Sequence, residues 1–461
     1  MSALWSMAEA TAATGGKCAM DWVAIGVSID TRTLQKGDLF VALKDVRDGH
    51  DFVEQALAAG ASAAMVSHIP AGISPDAPLL IVDDVLEALA GLASAARART
   101  DAKVIAVTGS VGKTGTKDML RVALQDQGRV HAAEKSYNNH WGVPLTLARM
   151  PSDTDFAILE IGMNHFGEIA PLSRLAKPDV AIITNVAAVH MAAFESVDQI
   201  ALEKATVVEG LSGGVVVLNA DMETSAVLAT AVADTATLWF GKSAPDFKLR
   251  SVKVSASSTK VEATVLGLDI TFEIGAAGKH LAMNALAVLA AVHFVGADMK
   301  AASKSLVNWR PLVGRGERWT VGNFTLIDDS YNANPLSVAA ALEGLASCSG
   351  NRIAILGDML ELGPDEVALH QNISQDESIY NIDTIYCVGP LMRNLFTALP
   401  VTKQGQWFEN SALLALQLDK LLIDGDVVMV KGSLGVKMGL IVDAIKNLGD
   451  ARPLSITGGN A

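Results

Sequence analysis

Residues 104–120 read VIAVTGSVGKTGTKDML: a buried-type strand, a glycine turn carrying Lys113 and Thr114, then a helix-forming run. Glycines let backbone N–H groups approach a phosphate closely, and the start of a helix adds the positive end of its dipole. In such a loop Thr108, Gly109, Ser110, Val111, Gly112 and Gly115 form a cradle for a nucleotide's phosphates, Lys113 reaches the outer phosphates, and the Thr114 hydroxyl ligates Mg²⁺. The strict pattern G-x-x-x-x-G-K-[ST] places a glycine at position 107, where this chain has Val107, so Gly109 and Gly112 must shape the turn. A glycine loop that holds no phosphate is the plain alternative.

Other positions carry residue types suited to the same chemistry. Glu160 ends the strand-like run FAILEIG, and a carboxylate there, beside a phosphate loop, is placed to ligate Mg²⁺; an ordinary strand-end acid would look the same. His190 in TNVAAVH follows another strand end and reads either as a ligand for a second metal or as a loop histidine. Lys204 in IALEKATVVEGL lies on a helical run, where a lone lysine is normally a solvated face residue. Asp328 and Asp329 in LIDDSYNANP end a strand before an Asn-rich turn, which suits ribose hydroxyls or phosphates, or a turn that caps itself. The KGS run at 431–433 could offer an anion backbone donors and one positive charge, or be a polar turn.

Holding these groups together requires large cores. The chain has 461 residues, 50% of them hydrophobic and 19% charged, which suits roughly two to four domains. A formal net charge of −14 argues against wrapping nucleic acid, so an anionic substrate needs local basic pockets. Cys18, Cys348 and Cys387 are too few and too scattered for a disulfide framework or a zinc site, which points to a reducing compartment. The apolar stretch 280–297 is interrupted by His280, Asn284 and His293 and reads as a core helix rather than a membrane span. The first residues include an acid and no basic run, so we expect no signal peptide and a soluble cytoplasmic protein; a monomer is a separate expectation that no motif carries.

Three α/β blocks follow from the pattern. Residues 1–98 hold short strand candidates around the helical run HDFVEQALAAGA. Residues 99–312 alternate apolar strands (VIAVTG, FAILEIG, VAIITNV, VVVLNA) with helices, the grammar of a doubly wound sheet whose site lies at the strand C-termini. Within this block, 245–275 changes to polar/apolar alternation and predicts an antiparallel edge. Residues 313–461 repeat the βα grammar, Rossmann-like, without a phosphate loop.

Together these motifs resemble the Mur ligases over nearly the whole chain. GVSIDTR, GDLFVAL and DGHDF resemble the family's N-terminal UDP-binding block. TGSVGKT, YNNHWGVPLTLA, EIGMNHFGEI, TNVAAVH and the IALEK lysine resemble its central ATPase, and LIDDSYNANP, LGDMLELG and VKGS its C-terminal domain. The resemblance implies that Lys113, Lys204 and His190 serve catalysis, that Thr114 and Glu160 hold one Mg²⁺, and that His190 with a carbamylated Lys204 holds a second. It further implies that Asn284 contacts adenine and that Arg315 and Asp329 contact the nucleotide's phosphates and ribose. Ser28, Thr31 and Arg32 would bind the UDP end of a substrate, with Asn138 and Asn139 along its path to the metals. Asp45, before the DGH string, and Leu281, after His280, depart from the family pattern.

DDSYNANP and LGDMLELG point within the family to the activity that joins D-alanyl-D-alanine to a UDP-N-acetylmuramoyl-tripeptide at the expense of ATP, through an acyl phosphate. Such chemistry needs the three blocks to converge on one carboxylate. A folylpolyglutamate synthase-like or other Mur-type amino-acid ligase is the alternative, but the former has no need of the N-terminal block. A GTPase would require an N-K-x-D motif, which the chain lacks. An ATP-binding regulatory module without enzymatic activity is the blandest reading.

Overall fold

A computed structural model describes residues 3–454 apart from 190, 192 and 256. Its three principal sheets are separate in sequence. The first has five strands: Gly26–Ser28, Asp38–Val41, Ala63–Val66 and Leu79–Ile81 run parallel, and Lys17–Cys18 adds antiparallel to the last. The strands are short apolar runs, as expected where both faces are covered. On one side Leu39, Val41 and Met65 pack against Leu89 and Leu92 of the helix Val85–Ala98, whose N-terminus is capped by Asp84.

The second sheet has nine strands. Lys103–Thr108 lies third from one edge and is flanked by Phe156–Glu160 on one side and Val180–Ile183 on the other, all parallel. The chain lays down neighbours first on one side of Lys103–Thr108 and then on the other, so a crevice opens at the strand ends where the order reverses. The predicted antiparallel edge is there: Thr259–Val265 and Leu268–Ile274 form a hairpin ladder with Phe247–Val254, itself parallel to Ala236–Gly241. The helix Lys279–Phe294 lies in the core with residues 285–292 all buried. Among the described residues no helix is long and apolar enough to cross a membrane.

The third sheet has seven strands, five of them parallel, with Glu317–Val321 and Ala451–Pro453 antiparallel at one edge. Its strand ends carry the motif loops after Asp329, Gly357 and Lys431. Cys18, Cys348 and Cys387 are all free thiols.

The first two units share a core. Leu145 and Ala148 of the helix Gly142–Ala148 belong to the N-terminal hydrophobic cluster, and the Trp5 indole donates to the Ala148 carbonyl at 2.8 Å. The connection 133–141 thus runs between the N-terminal unit and the phosphate loop.

Candidate active site

Val107 is fully buried within the strand Lys103–Thr108, so the turn begins later than in the strict motif. Gly109 has φ 146°, and a Cβ there would collide with the Thr184 hydroxyl; Gly112 has φ 83° and opens the helix Lys113–Leu124. Both glycines are therefore required by conformation, Gly109 by space as well. The Ser110 amide donates to the Asn185 carbonyl at 2.8 Å, and Thr184 Oγ1 donates to the Val111 carbonyl at 2.6 Å, pinning the loop to the end of the neighbouring strand.

Lys113 Nζ donates to the Gly109 carbonyl at 2.5 Å and to Ser110 O at 3.4 Å, folding back over the cradle. Enclosure by the protein pushes its pKa down; Glu160 opposes that shift and Arg315 adds to it. The Thr114 hydroxyl shares a 3.2 Å hydrogen bond with Ser136 Oγ, which also accepts from Arg315 Nη2 at 3.2 Å. Glu160 is 1% exposed; Oε1 accepts from Asn138 Nδ2 at 2.7 Å, whereas Oε2 is buried and has no hydrogen-bond partner among the described residues. A buried carboxylate oxygen left unpaired is costly and fits a cation. Thr114 and Glu160 are thus a fitting donor pair for Mg²⁺. Among the described residues no group of three or more His, Cys, Asp or Glu side chains is arranged to hold a metal.

The solvated reading of Lys204 is overturned. It is 2% exposed. Burial, and then the charge of Lys113, push its pKa well below the ordinary lysine value, favouring the neutral amine. The neighbouring Glu203 is instead structural, accepting from the Gly167 and Ile169 amides at 3.0 Å each. His190 lies outside the described residues.

These groups open onto a cleft of about 670 Å³ between the second and third sheets. Ser110, Val111, Gly112, Lys113, Thr114, Gly115, Asn138, Asn139, Glu160 and Asn284 line one wall, and Arg315, Asp329 and Lys431 the other. Asn284 sits against the loop: a Cβ on Gly112 would come within 3.0 Å of its Oδ1. Leu281, the departure from the family pattern, is buried against the core and, like His280, lines the cleft. Thr108 and Lys204 are buried and, like Gly109, are not among the lining residues.

Across the cleft, Asp329 accepts from Lys431 Nζ at 2.7 Å, and that ammonium, 2% exposed, also donates to Asn332 O at 2.9 Å. Asp328 is turned into its own loop, accepting from Ser330 Oγ at 2.6 Å, and Asn334 caps the helix Pro335–Ala346. The self-capping reading therefore describes Asp328, whereas Asp329 faces the cleft. The Arg315 guanidinium stacks 4.2 Å from the Tyr331 ring.

Ser28, Thr31 and Arg32 are grouped at the end of Gly26–Ser28 and are outside the cleft lining. Arg32 binds both oxygens of Asp30, at 2.9 Å and 2.7 Å, and holds that carboxyl down at about 2. Thr31 Oγ1 donates to Gln55 at 3.3 Å, and Ser28 Oγ donates to Asp30 O at 3.2 Å. The strand is tied by Arg149, at the end of the helix Gly142–Ala148, whose Nε donates to Val27 O at 2.6 Å.

Sequence reasoning missed several residues that shape the cleft. Lys117, one helical turn beyond Lys113, is 3% exposed. Ser136 touches both walls. His370 is fully buried; its Nδ1 donates to Glu366 O at 2.6 Å, and its Nε2 accepts from the Met359 amide at 2.9 Å. Glu361, at φ 64°, is a non-glycine residue in the left-handed region on the cleft wall. The only available hint was that Glu361, Lys117 and Ser136 sit in or beside the quoted motifs.

Three family models match the chain: "Mur ligase family, catalytic domain" over 25–97, "Mur ligase middle domain" over 107–292, and "Mur ligase, glutamate ligase domain" over 314–434. A UDP-N-acetylmuramoyl-tripeptide–D-alanyl-D-alanine ligase of Bacillus subtilis is 37% identical, the match covering 90% of this chain and 92% of that one. The enzyme of the same name from Escherichia coli is 35% identical over 92% and 94%. The crystal structure of MurF from Acinetobacter baumannii superposes with a TM-score of 0.85 at 27% identity, covering 96% of this chain and 99% of that one.

Proposed function

The chain belongs to the Mur ligase family, and from that premise we propose that it joins D-alanyl-D-alanine to a UDP-N-acetylmuramoyl-tripeptide, using ATP, as a step in making peptidoglycan precursors. The observation that carries the chemistry is the single cleft that sets Lys113, Thr114 and Glu160 opposite Arg315 and Asp329. We read residues 1–98, 99–312 and 313–461 as its three working units, in a cytoplasmic monomer.

Amide formation from a free carboxylate is unfavourable in water without activation. In the reaction proposed, a carboxylate oxygen of the tripeptide attacks the γ-phosphorus, the bond to the bridging oxygen breaks, and ADP leaves. The dipeptide amine then attacks the acyl carbon, loses a proton, and inorganic phosphate departs with the former carboxylate oxygen. Both reactants are anionic, so positioning and charge stabilisation are the main tasks of the protein. Lys113 would neutralise the outer phosphates, the loop amides would hold them in line, and Asn284 would set the adenine. Arg315 and Asp329 would fix the phosphates and ribose from the opposite wall. Ser28, Thr31 and Arg32 would hold the UDP end, and Asn138 and Asn139 would flank the peptide's path.

Thr114 and Glu160 would hold one Mg²⁺ and Lys204 with His190 another, ions that when bound screen the repulsion between phosphate and carboxylate. Lys204 suits this as a carbamate: its neutral amine adds to CO₂, an N–C bond forms, and one proton is released. The buried, depressed amine is the reactive form for that addition. Product identification by mass spectrometry with ATP, D-alanyl-D-alanine and UDP-tripeptides ending in lysine or meso-diaminopimelate tests the reading. It predicts a UDP-pentapeptide and ADP; no amide product with either tripeptide would refute it.

A further inference from the structure

Lys117 takes no part in the mechanism above, yet it is nearly fully buried on the inward face of the phosphate-loop helix. Its Nζ donates to the carbonyls of Ala133 at 2.8 Å and Lys135 at 3.1 Å. Burying an ammonium is expensive, and a methionine would fill the same space without that cost, so the position calls for a donor. What the two bonds fix is the start of the connection 133–139. Three residues further on, Ser136 Oγ meets Thr114 Oγ1 and Arg315 Nη2, each at 3.2 Å, and Asn138 Nδ2 holds Glu160 Oε1 at 2.7 Å. Gly162 lets that asparagine in: a Cβ there would come within 2.9 Å of it. One segment therefore touches both candidate metal donors and the opposite wall of the cleft, and its other end runs into the helix embedded in the N-terminal core.

We infer that residues 133–139 act as a strap, anchored by Lys117 as a positioning residue, that sets Thr114 and Glu160 for a metal–nucleotide complex through Ser136 and Asn138. This deepens the ligase reading and rests on it only for the identity of the nucleotide. Outer-shell partners of metal ligands typically contribute about 10–100-fold in affinity.

The test is direct Mn²⁺ binding in the presence of ATP, followed by the paramagnetic resonance signal of free Mn²⁺ on the full chain, without peptide substrate. Lys117→Met and Ser136→Ala should each weaken binding, Lys117→Met about tenfold and Ser136→Ala by less, and the double variant should lose less than the product of the two. Ser136→Ala, a half-buried change, decides alone if Lys117→Met does not fold. Unchanged Mn²⁺ affinity in folded Lys117→Met or in Ser136→Ala, or strictly multiplicative losses, would overturn the strap. Absence of amide synthesis by the wild type would instead refute the ligase reading and leave the binding result standing.

Discussion

The phosphate-loop wall and the Ser28–Arg32 cluster are both candidate anion sites at the ends of parallel strands, but their polar groups are in opposite condition. Around the loop, key groups are held in a costly state: Glu160 Oε2 is buried without a hydrogen-bond partner among the described residues, and Lys204 is enclosed, which drives its amine toward the neutral form. In the N-terminal cluster the groups satisfy one another: Arg32 is locked onto Asp30, and Thr31 onto Gln55. A ligand entering the first gains interactions the protein has already prepared, whereas in the second it must displace internal ones or add to them. The first arrangement suits chemistry, in which electrostatic preorganisation counts; the second suits recognition.

Substitutions should separate the two regions by kind of effect as well as size. Lys204→Ala should abolish amide synthesis, with partial recovery when short carboxylic acids are added; full activity would place Lys204 outside the site. Lys113→Ala should lower turnover by roughly 10²-fold or more while circular dichroism and thermal unfolding stay near wild type. Near-normal turnover in that folded variant would remove the phosphate-loop assignment.

Arg32→Ala should act on recognition alone, raising KM for the UDP-tripeptide about tenfold with kcat nearly unchanged. A fall in kcat with constant KM would erase the contrast drawn above. The smallest effect concerns acid stability. Because Asp30 titrates at about 2 in the folded chain, below its unfolded value, the stability it contributes is full above about pH 4 and lost as pH falls through about 2. The stability gap between wild type and Asp30→Asn should therefore close over that window, and it should be small because Arg32 is exposed.

What could be read beforehand divides along similar lines. The Gly109–Thr114 turn, Glu160 at its strand end and the antiparallel edge at 245–275 depend on local rules of backbone conformation and periodicity, so residue types alone announce them. Lys117 and Lys204 could not be recognised that way. Each sits on a helix where lysine is ordinarily solvated, and only the packing of a strap or a neighbouring element turns that position inward. His370 likewise gains its meaning from a backbone amide contributed by another loop. Asp328 and Asp329 show the limit within one motif: neighbouring strand residues point to opposite sides, so one caps its own turn and the other faces the cleft.

The central claim is that the γ-phosphoryl group passes to the peptide carboxylate, the outcome favoured if Lys113, Thr114 and Glu160, which line one wall of the cleft, meet the outer phosphates as proposed. It is tested most directly with ¹⁸O in the terminal carboxylate of the UDP-tripeptide. The account predicts ADP and inorganic phosphate carrying one labelled oxygen, with the label otherwise retained in the new amide carbonyl. Release of AMP and pyrophosphate, or of phosphate free of label, would contradict it.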